Sequence, residues 1–249
     1  MSPRKTPKRT WIIGASSGIG EALAERLAAR GEEIILSARN TEALDTICKR
    51  LKGRGHRVLP LDVSDGAAVA RSAIWLRDTV GPLDRVLFFA GAYTPMKLGQ
   101  IDLSDMGRII DTNLKGAFYV VEAALPVMAE KGQIALCASV AGYRGLPNGQ
   151  PYAATKAGVI SLATSLRAEH GDRLDIKVIN PGFVKTRLTD KNGFEMPMMI
   201  TPEKAARAIA RELDSKRFEI HFPKGFTRMV KLLALLPDGL YFNAVKGMR

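Results

Sequence analysis

The chain has 249 residues, 46% of them hydrophobic, and carries 37 lysines and arginines against 25 acids, a formal charge of +12. That length and apolar content supply a sizeable core, and many α/β folds hold it in one domain. Two cysteines, Cys48 and Cys137, without metal-type spacing exclude a disulfide framework and a zinc site, while a positive charge dispersed among acids, with no nucleic-acid motif, leaves no nucleic-acid partner expected.

Residues 1–9 read as a basic tail carrying Arg4, Lys5, Lys8 and Arg9, ahead of a single domain at 10–249. Trp11-Ile12-Ile13 is an apolar run, followed by glycines and an amphipathic stretch from Gly18 to Arg30. Ile34-Ile35-Leu36 precedes a helix over Thr41 to Leu51, and Val58 to Leu61 leads into one from about Ala67 to Thr79. Val86-Leu87-Phe88-Phe89 is followed by a long helix from about Leu103 to Met128. Ile134 to Cys137 precedes the helix that carries Tyr152. Ile176 to Ile179, a helix over Pro202 to Leu213, a strand near Phe218 to Phe222 and an apolar helix over 226–236 complete the chain. Short β-branched runs alternating with helices imply βαβ units. The expected fold is therefore α/β, a doubly wound parallel sheet of six to seven strands with helices on both faces.

Gly14-Ala15-Ser16-Ser17-Gly18-Ile19-Gly20 follows the first strand and opens the first helix. A dinucleotide fold places its pyrophosphate there, against free backbone N–H groups and the positive end of the helix dipole. The spacing is G-x-x-x-G-x-G, and no G-K-S/T follows, so it is not a P-loop. At the end of the second strand, where an NAD site carries an acid for the ribose 2′-OH, the chain reads Ser37-Ala38-Arg39-Asn40. A guanidinium there pairs with a 2′-phosphate, so NADP(H) is expected over NAD(H).

Tyr152 and Lys156 stand four apart at a helix start, so both side chains lie on one face. A neighbouring ammonium lowers a phenol's pKa and makes it a usable acid, although such a pair by itself more often packs and solvates. Asn113 and Gly116 inside an apolar helix each cost about 0.5–1 kcal/mol relative to alanine, as functional or closely packed positions do.

With the glycine turn, Asp62-Val63, Ala90-Gly91, Asn113, Ser139, Tyr152, Lys156 and Pro181-Gly182 in this order, the sequence resembles the short-chain dehydrogenase/reductase family from about Thr10 to Phe222. The resemblance implies a Rossmann-type single domain and an NADPH-preferring oxidoreductase moving a hydride between the nicotinamide and a carbonyl or secondary alcohol. It makes Tyr152 the general acid or base. Lys156 lowers the tyrosine's pKa and binds the nicotinamide ribose, Ser139 donates to the substrate oxygen, and Asn113 anchors a relay water. Cofactor contacts fall to Gly14, Ser16, Ser17, Gly18, Ile19, Gly20 and Arg39, then Asp62 and Val63 at the adenine, Ala90 and Gly91 at the ribose, and Pro181, Gly182, Val184 and Thr186 at the nicotinamide. Two positions depart from the family: Ile13 replaces its threonine, and Phe88-Phe89 its paired asparagines.

Residues 187–200 form the family's substrate lid. The methionines there fit a bulky apolar substrate, such as a 3-oxoacyl thioester or ketone, or else pack on the core. The 226–236 helix is too short to span a bilayer; subunit or pocket contact ranks above peripheral membrane contact for it. A homodimer or homotetramer in a reducing cytoplasm is expected, since no apolar secretory segment begins the chain. The alternative reading is a non-catalytic NADP-binding sensor or scaffold of the same fold.

Overall fold

The computed structural model describes residues 7–191 and 196–248; most of the basic tail and the middle of the segment expected to form a lid lie outside the described residues. Seven parallel strands form one sheet in the order β3-β2-β1-β4-β5-β6-β7. They are β1 (Arg9–Ile13), β2 (Glu33–Ser37), β3 (Arg57–Val58), β4 (Leu83–Phe88), β5 (Met128–Cys137), β6 (Asp175–Pro181) and β7 (Glu219–Phe222). Arg9, read as the end of the tail, is thus the first residue of β1.

Alternation along each strand feeds two cores. Trp11 and Ile13 of β1, Val86 and Phe88 of β4, and Ile134 and Leu136 of β5 face one side. There they meet α3 (Gly66–Thr79), α5 (Gly116–Ala124) and α6 (Tyr152–His170). Ile12, Leu87 and Ala135 face the other side, under α1 (Gly18–Ala28), α2 (Thr41–Arg50) and α7 (Pro202–Glu212). A strand buried on both faces must be apolar at consecutive positions, which is why the sequence shows runs rather than alternation. Helix starts are set by side chains: Asn40, Asp65 and Asp102 accept from the N–H groups of Ala43, Ala68 and Asp105.

The long helix expected from Leu103 to Met128 is broken up. It runs as α4 (Leu103–Ile110), a π turn over Asp111–Lys115, α5, and a 3₁₀ turn at Leu125–Val127, and Met128 already begins β5. The π turn surrounds the fully buried Asn113, and π turns concentrate at functional sites. Gly116 follows because a Cβ there would lie 2.9 Å from Val63 Cγ2. At the C-terminus, α8 (Lys224–Ala234) answers the expected apolar helix, but a second, α9 (Asp238–Val245), was not expected. Only Tyr241 and Val245 of α9 are buried, too few to mark a periodicity. No helix of the described residues is long and apolar enough to cross a membrane.

At the N-terminal edge of the sheet a buried polar chain ties the strands together. Arg85 of β4 donates to Glu32 (2.7 Å), Gln133 of β5 (2.7 Å) and Asp214 (3.3 Å). Gln133 donates onward to Asp175 of β6 (2.6 Å), and the fully buried Lys177 donates to the carbonyls of Ser215 and Arg217. Removing one partner of such a group strands the others without water. Arg85→Ala is therefore expected to lower the unfolding free energy by about 3–5 kcal/mol in urea denaturation.

Candidate active site

The crossovers reverse direction between β1 and β4, and a cleft of about 420 Å³ opens there at the C-terminal ends of the strands. Its floor at one end is the glycine turn. Gly14 holds φ +87°, and a Cβ on it would lie 2.4 Å from the Ala90 nitrogen; one on Gly20 would lie 2.3 Å from Gly14 O. Only glycine fits either place. Ser17, at the N-cap of α1, makes no capping hydrogen bond, in contrast to Asn40, Asp65 and Asp102. The positive end of α1 therefore faces the cleft with its own amides. This cradle fits a pyrophosphate.

Ser16, Ser17, Gly18 and Ile19 line the cleft beside it. Across from them, a Cβ on Gly18 would come 3.0 Å from the Thr186 methyl, so the loop after β6 closes that side. Pro181, Gly182 and Val184 line the same wall. Beyond β2 and β3 stand Arg39, Asp62 and Val63. Arg39 is exposed and makes no ion pair with the described residues. Burial pushes the Asp62 carboxyl up, yet the N–H and hydroxyl of Ser64, at 3.0 and 2.7 Å, and the Arg39 charge hold it below its ordinary value.

At the other end Ser139, Tyr152 and Lys156 meet Ala90 and Gly91. Ser139 caps a 3₁₀ turn at the end of β5, accepting from Ala141 N–H at 3.1 Å, and its hydroxyl favours the charged form of the Tyr152 phenol. Lys156 Nζ donates to the Cys137 carbonyl at 2.8 Å and lies 5.6 Å from the centre of the Tyr152 ring. Tyr152 departs from expectation. Burial pushes the Tyr152 phenol well above its ordinary value, Cys137 and Tyr93 adding to the rise and Ser139 opposing it. Burial pushes the Lys156 ammonium down. The lowering of Tyr152 expected from Lys156 is not present in this arrangement: the ammonium is directed at the Cys137 carbonyl, and desolvation dominates the phenol.

A model of the short chain dehydrogenase family matches residues 8–196. An uncharacterized oxidoreductase of Mycobacterium tuberculosis is 33% identical over 244 residues, covering 94% of this chain and 96% of its own. One from Myxococcus xanthus is 31% identical over 243 residues, with 96% of each chain covered. Among solved structures, a short-chain dehydrogenase/reductase from Serratia marcescens superposes with a TM-score of 0.79 over 88% of this chain and 98% of that one, at 22% identity.

The chain belongs to the short-chain dehydrogenase/reductase family. It is an oxidoreductase of the type that acts on CH–OH and C=O groups with a nicotinamide cofactor, NAD(P)(H), and a small-molecule substrate. The cradle described above fits that cofactor's pyrophosphate.

Every residue expected at the cofactor lines the one cleft. Asn113 does not line it. Its Oδ1 accepts from Ala92 N–H at 2.6 Å, and its Nδ2 donates to Ala92 O at 2.9 Å and Thr155 Oγ1 at 3.1 Å. The side chain thus clamps the loop after β4 to α6, and only a hypothetical Cβ on Gly91, 3.7 Å from Oδ1, marks how near it runs to the cleft. Phe88 is buried in the core, while Phe89 lines the cleft and donates its N–H to Ile13 O at 2.7 Å. Aromatic packing and backbone bonds hold the wall where the family's asparagines would. Sequence reasoning missed Tyr93, whose ring meets Tyr152 edge-on with centroids 5.0 Å apart. It also missed Thr155 and the Cys137 carbonyl, which carry no motif beyond the tyrosine helix and a strand end.

Removing the Asn113 clamp strands the buried Ala92 backbone groups. Asn113→Ala is expected to cost about 1–3 kcal/mol of stability by thermal denaturation.

Proposed function

We propose that this enzyme is an NADPH-preferring carbonyl reductase or alcohol dehydrogenase whose substrate is apolar, such as a 3-oxoacyl thioester or a bulky ketone. The observation that carries the reading is the convergence of Ser139, Tyr152 and Lys156 at one end of a cleft whose other end presents Arg39. NADPH, when bound, supplies the hydride. The glycine turn and the start of α1 hold its pyrophosphate, Arg39 its 2′-phosphate, Asp62 and Val63 its adenine, and Ala90, Gly91, Pro181, Gly182, Val184 and Thr186 its nicotinamide side.

A phenol with a raised pKa stays protonated at neutral pH, the state a proton donor requires. As negative charge grows on the substrate oxygen, Tyr152 passes it the phenolic proton and the Ser139 hydroxyl donates to it. Lys156, moved from the Cys137 carbonyl, holds the nicotinamide ribose and stabilises the phenolate left behind. Asn113 serves as a positioning residue through Ala92 and Thr155; a relay water held by this segment remains part of the proposal. Residues 187–200 act as the lid, and its described part bears exposed Met198 and Met199, suited to an apolar substrate.

Exposed Ile74 and Trp75 of α3 and Phe118 of α5, on the helix continuing from Asn113, support a homodimer or homotetramer. The free thiols of Cys48 and Cys137 fit a reducing cytoplasm.

In a panel of carbonyl compounds with NADPH, Tyr152→Phe is expected to lower kcat about 10²–10⁴-fold while NADPH still binds. Equal turnover by the variant would remove Tyr152 as the acid. Tight NADPH binding without turnover by the native chain on any carbonyl would favour a sensor instead. Reduction is expected to stay level from about pH 6 to about pH 8, and oxidation, which needs the phenolate, to rise over the same range. Arg39→Ala is expected to raise the Kd for NADPH about 10–100-fold, the loss of one charge-assisted hydrogen-bonded contact of ~1.5–3 kcal/mol, and to leave NADH binding unchanged.

A further inference from the structure

The two C-terminal helices are attached to the rest of the molecule along one side. Arg144, in the loop between Ser139 and Tyr152, donates to the carbonyls of Ala234 (3.2 Å) and Leu236 (2.6 Å), pairs with Asp238, and stacks 3.8 Å over the Tyr241 ring. Phe226 is buried against Phe183, their ring centres 5.2 Å apart. The loops beside the candidate active site therefore hold α8 and α9 in a fixed orientation.

The other side of the pair is apolar and bare. Met229 and Leu232 of α8 and its C-cap residue Leu235 recur at three-residue spacing on one stripe and are 57%, 68% and 80% exposed; Phe242 of α9 extends it at 63%. Such a run of large exposed apolar side chains marks an interaction surface. It reaches the lid, because Met198, 63% exposed, has its sulfur 3.8 Å from where a Cβ on Gly225 would stand.

Charge decides the partner. From residue 220 to the C-terminus the sequence has five lysines and arginines and a single acid, Asp238, which Arg144 occupies; Lys231 pairs back with Glu219 of β7, and Lys224 and Arg228 stand beside it. Arg228 is exposed beside the apolar stripe. The cations are dense enough to act on one another: burial first, then Arg217, Lys231 and Arg228 depress the Lys224 ammonium, with Glu212 opposing. A second copy brought up by two-fold symmetry would set one such cluster against another. An apolar stripe bordered by cations matches a bilayer with anionic headgroups, where the stripe enters the acyl boundary and the cations remain at the phosphates.

We propose that the stripe of α8 and α9 docks this enzyme on the surface of an anionic phospholipid bilayer, with the lid side of the cleft at the lipid. Docking stands on this surface alone and does not depend on the substrate class proposed above.

The test is co-sedimentation of the full chain with vesicles of phosphatidylcholine alone or with about a third phosphatidylglycerol. The native chain is expected to bind the anionic vesicles at least about tenfold better, with binding weakened by salt. Leu232→Glu/Leu235→Glu is expected to reduce that binding about tenfold while its thermal transition stays unchanged, and Leu235→Glu alone, at the most exposed position, serves should the double variant fail to fold. Three results would each overturn the proposal. The native chain fails to bind anionic vesicles; the variants bind as well as the native chain, which assigns binding to the basic N-terminal residues; or gel filtration shows the variants dissociating a native oligomer, which makes the stripe a subunit interface.

Discussion

β1 lies between β2 and β4, and the chain leaves it through a turn that runs against the backbone of the segment after β4. At Gly14 that approach is so close that a single added carbon would lie 2.4 Å from the Ala90 nitrogen, and at Gly20 the turn presses on itself at 2.3 Å. Because side chains are excluded here, the backbone amides and the uncapped start of α1 face the crevice directly. The positions of Arg39, of Ala90 and Gly91, and of the Tyr152 helix are all measured from this contact. It sets where β1, β4 and their loops meet, and so where any nucleotide can lie.

The two ends of the sheet are built from different physics. The N-terminal edge is held by a buried chain of charged and amide groups from Glu32 through Arg85 and Gln133 to Asp175, with directional bonds that tolerate little movement. The C-terminal edge carries loops, glycines and the exposed Met198 and Met199, whose flexible side chains adapt to irregular apolar shapes. A rigid base beneath an adaptable mouth lets the same sheet hold a cofactor fixed while the substrate side varies.

Within the cleft the electrostatics follow burial more than charge pairing. Tyr152 is pushed up and Lys156 down by the same desolvation, and Ser139 is the neighbour that opposes the rise in the tyrosine. A protonated phenol beside a hydroxyl and a nearby ammonium suits the donor role proposed for Tyr152, and the clamp of Asn113 on Ala92 and Thr155 keeps the two supporting segments in register. The substitution of Phe88-Phe89 for polar residues is absorbed because Phe88 faces the core and Phe89 is held by its backbone to Ile13.

Much of this was legible in the sequence. Consecutive apolar residues in Trp11–Ile13 or Ile134–Cys137 arise because both faces of a parallel strand are buried, and that local signature specifies the α/β class. The glycine turn, Arg39 at the end of β2 and the four-residue spacing of Tyr152 and Lys156 are local too, and each stands at the cleft. Other features depend on segments far apart in the chain, and local sequence held at most a hint of them, such as the costly Asn113 and Gly116. The π turn at Asn113 is stabilised by Ala92 and Thr155, 21 and 42 residues away. The helix α9 is held by Arg144, some 94 residues earlier. The sense of the Tyr152 and Lys156 shifts depends on desolvation by the surrounding walls. Sequence alone therefore marked the glycine turn, Arg39 and the Tyr152–Lys156 pair that line the cleft, because backbone geometry and strand patterning are local. The tertiary structure alone decided how those residues titrate, what locks them and which surface stays bare, because burial and long-range contacts exist only once the chain has closed on itself.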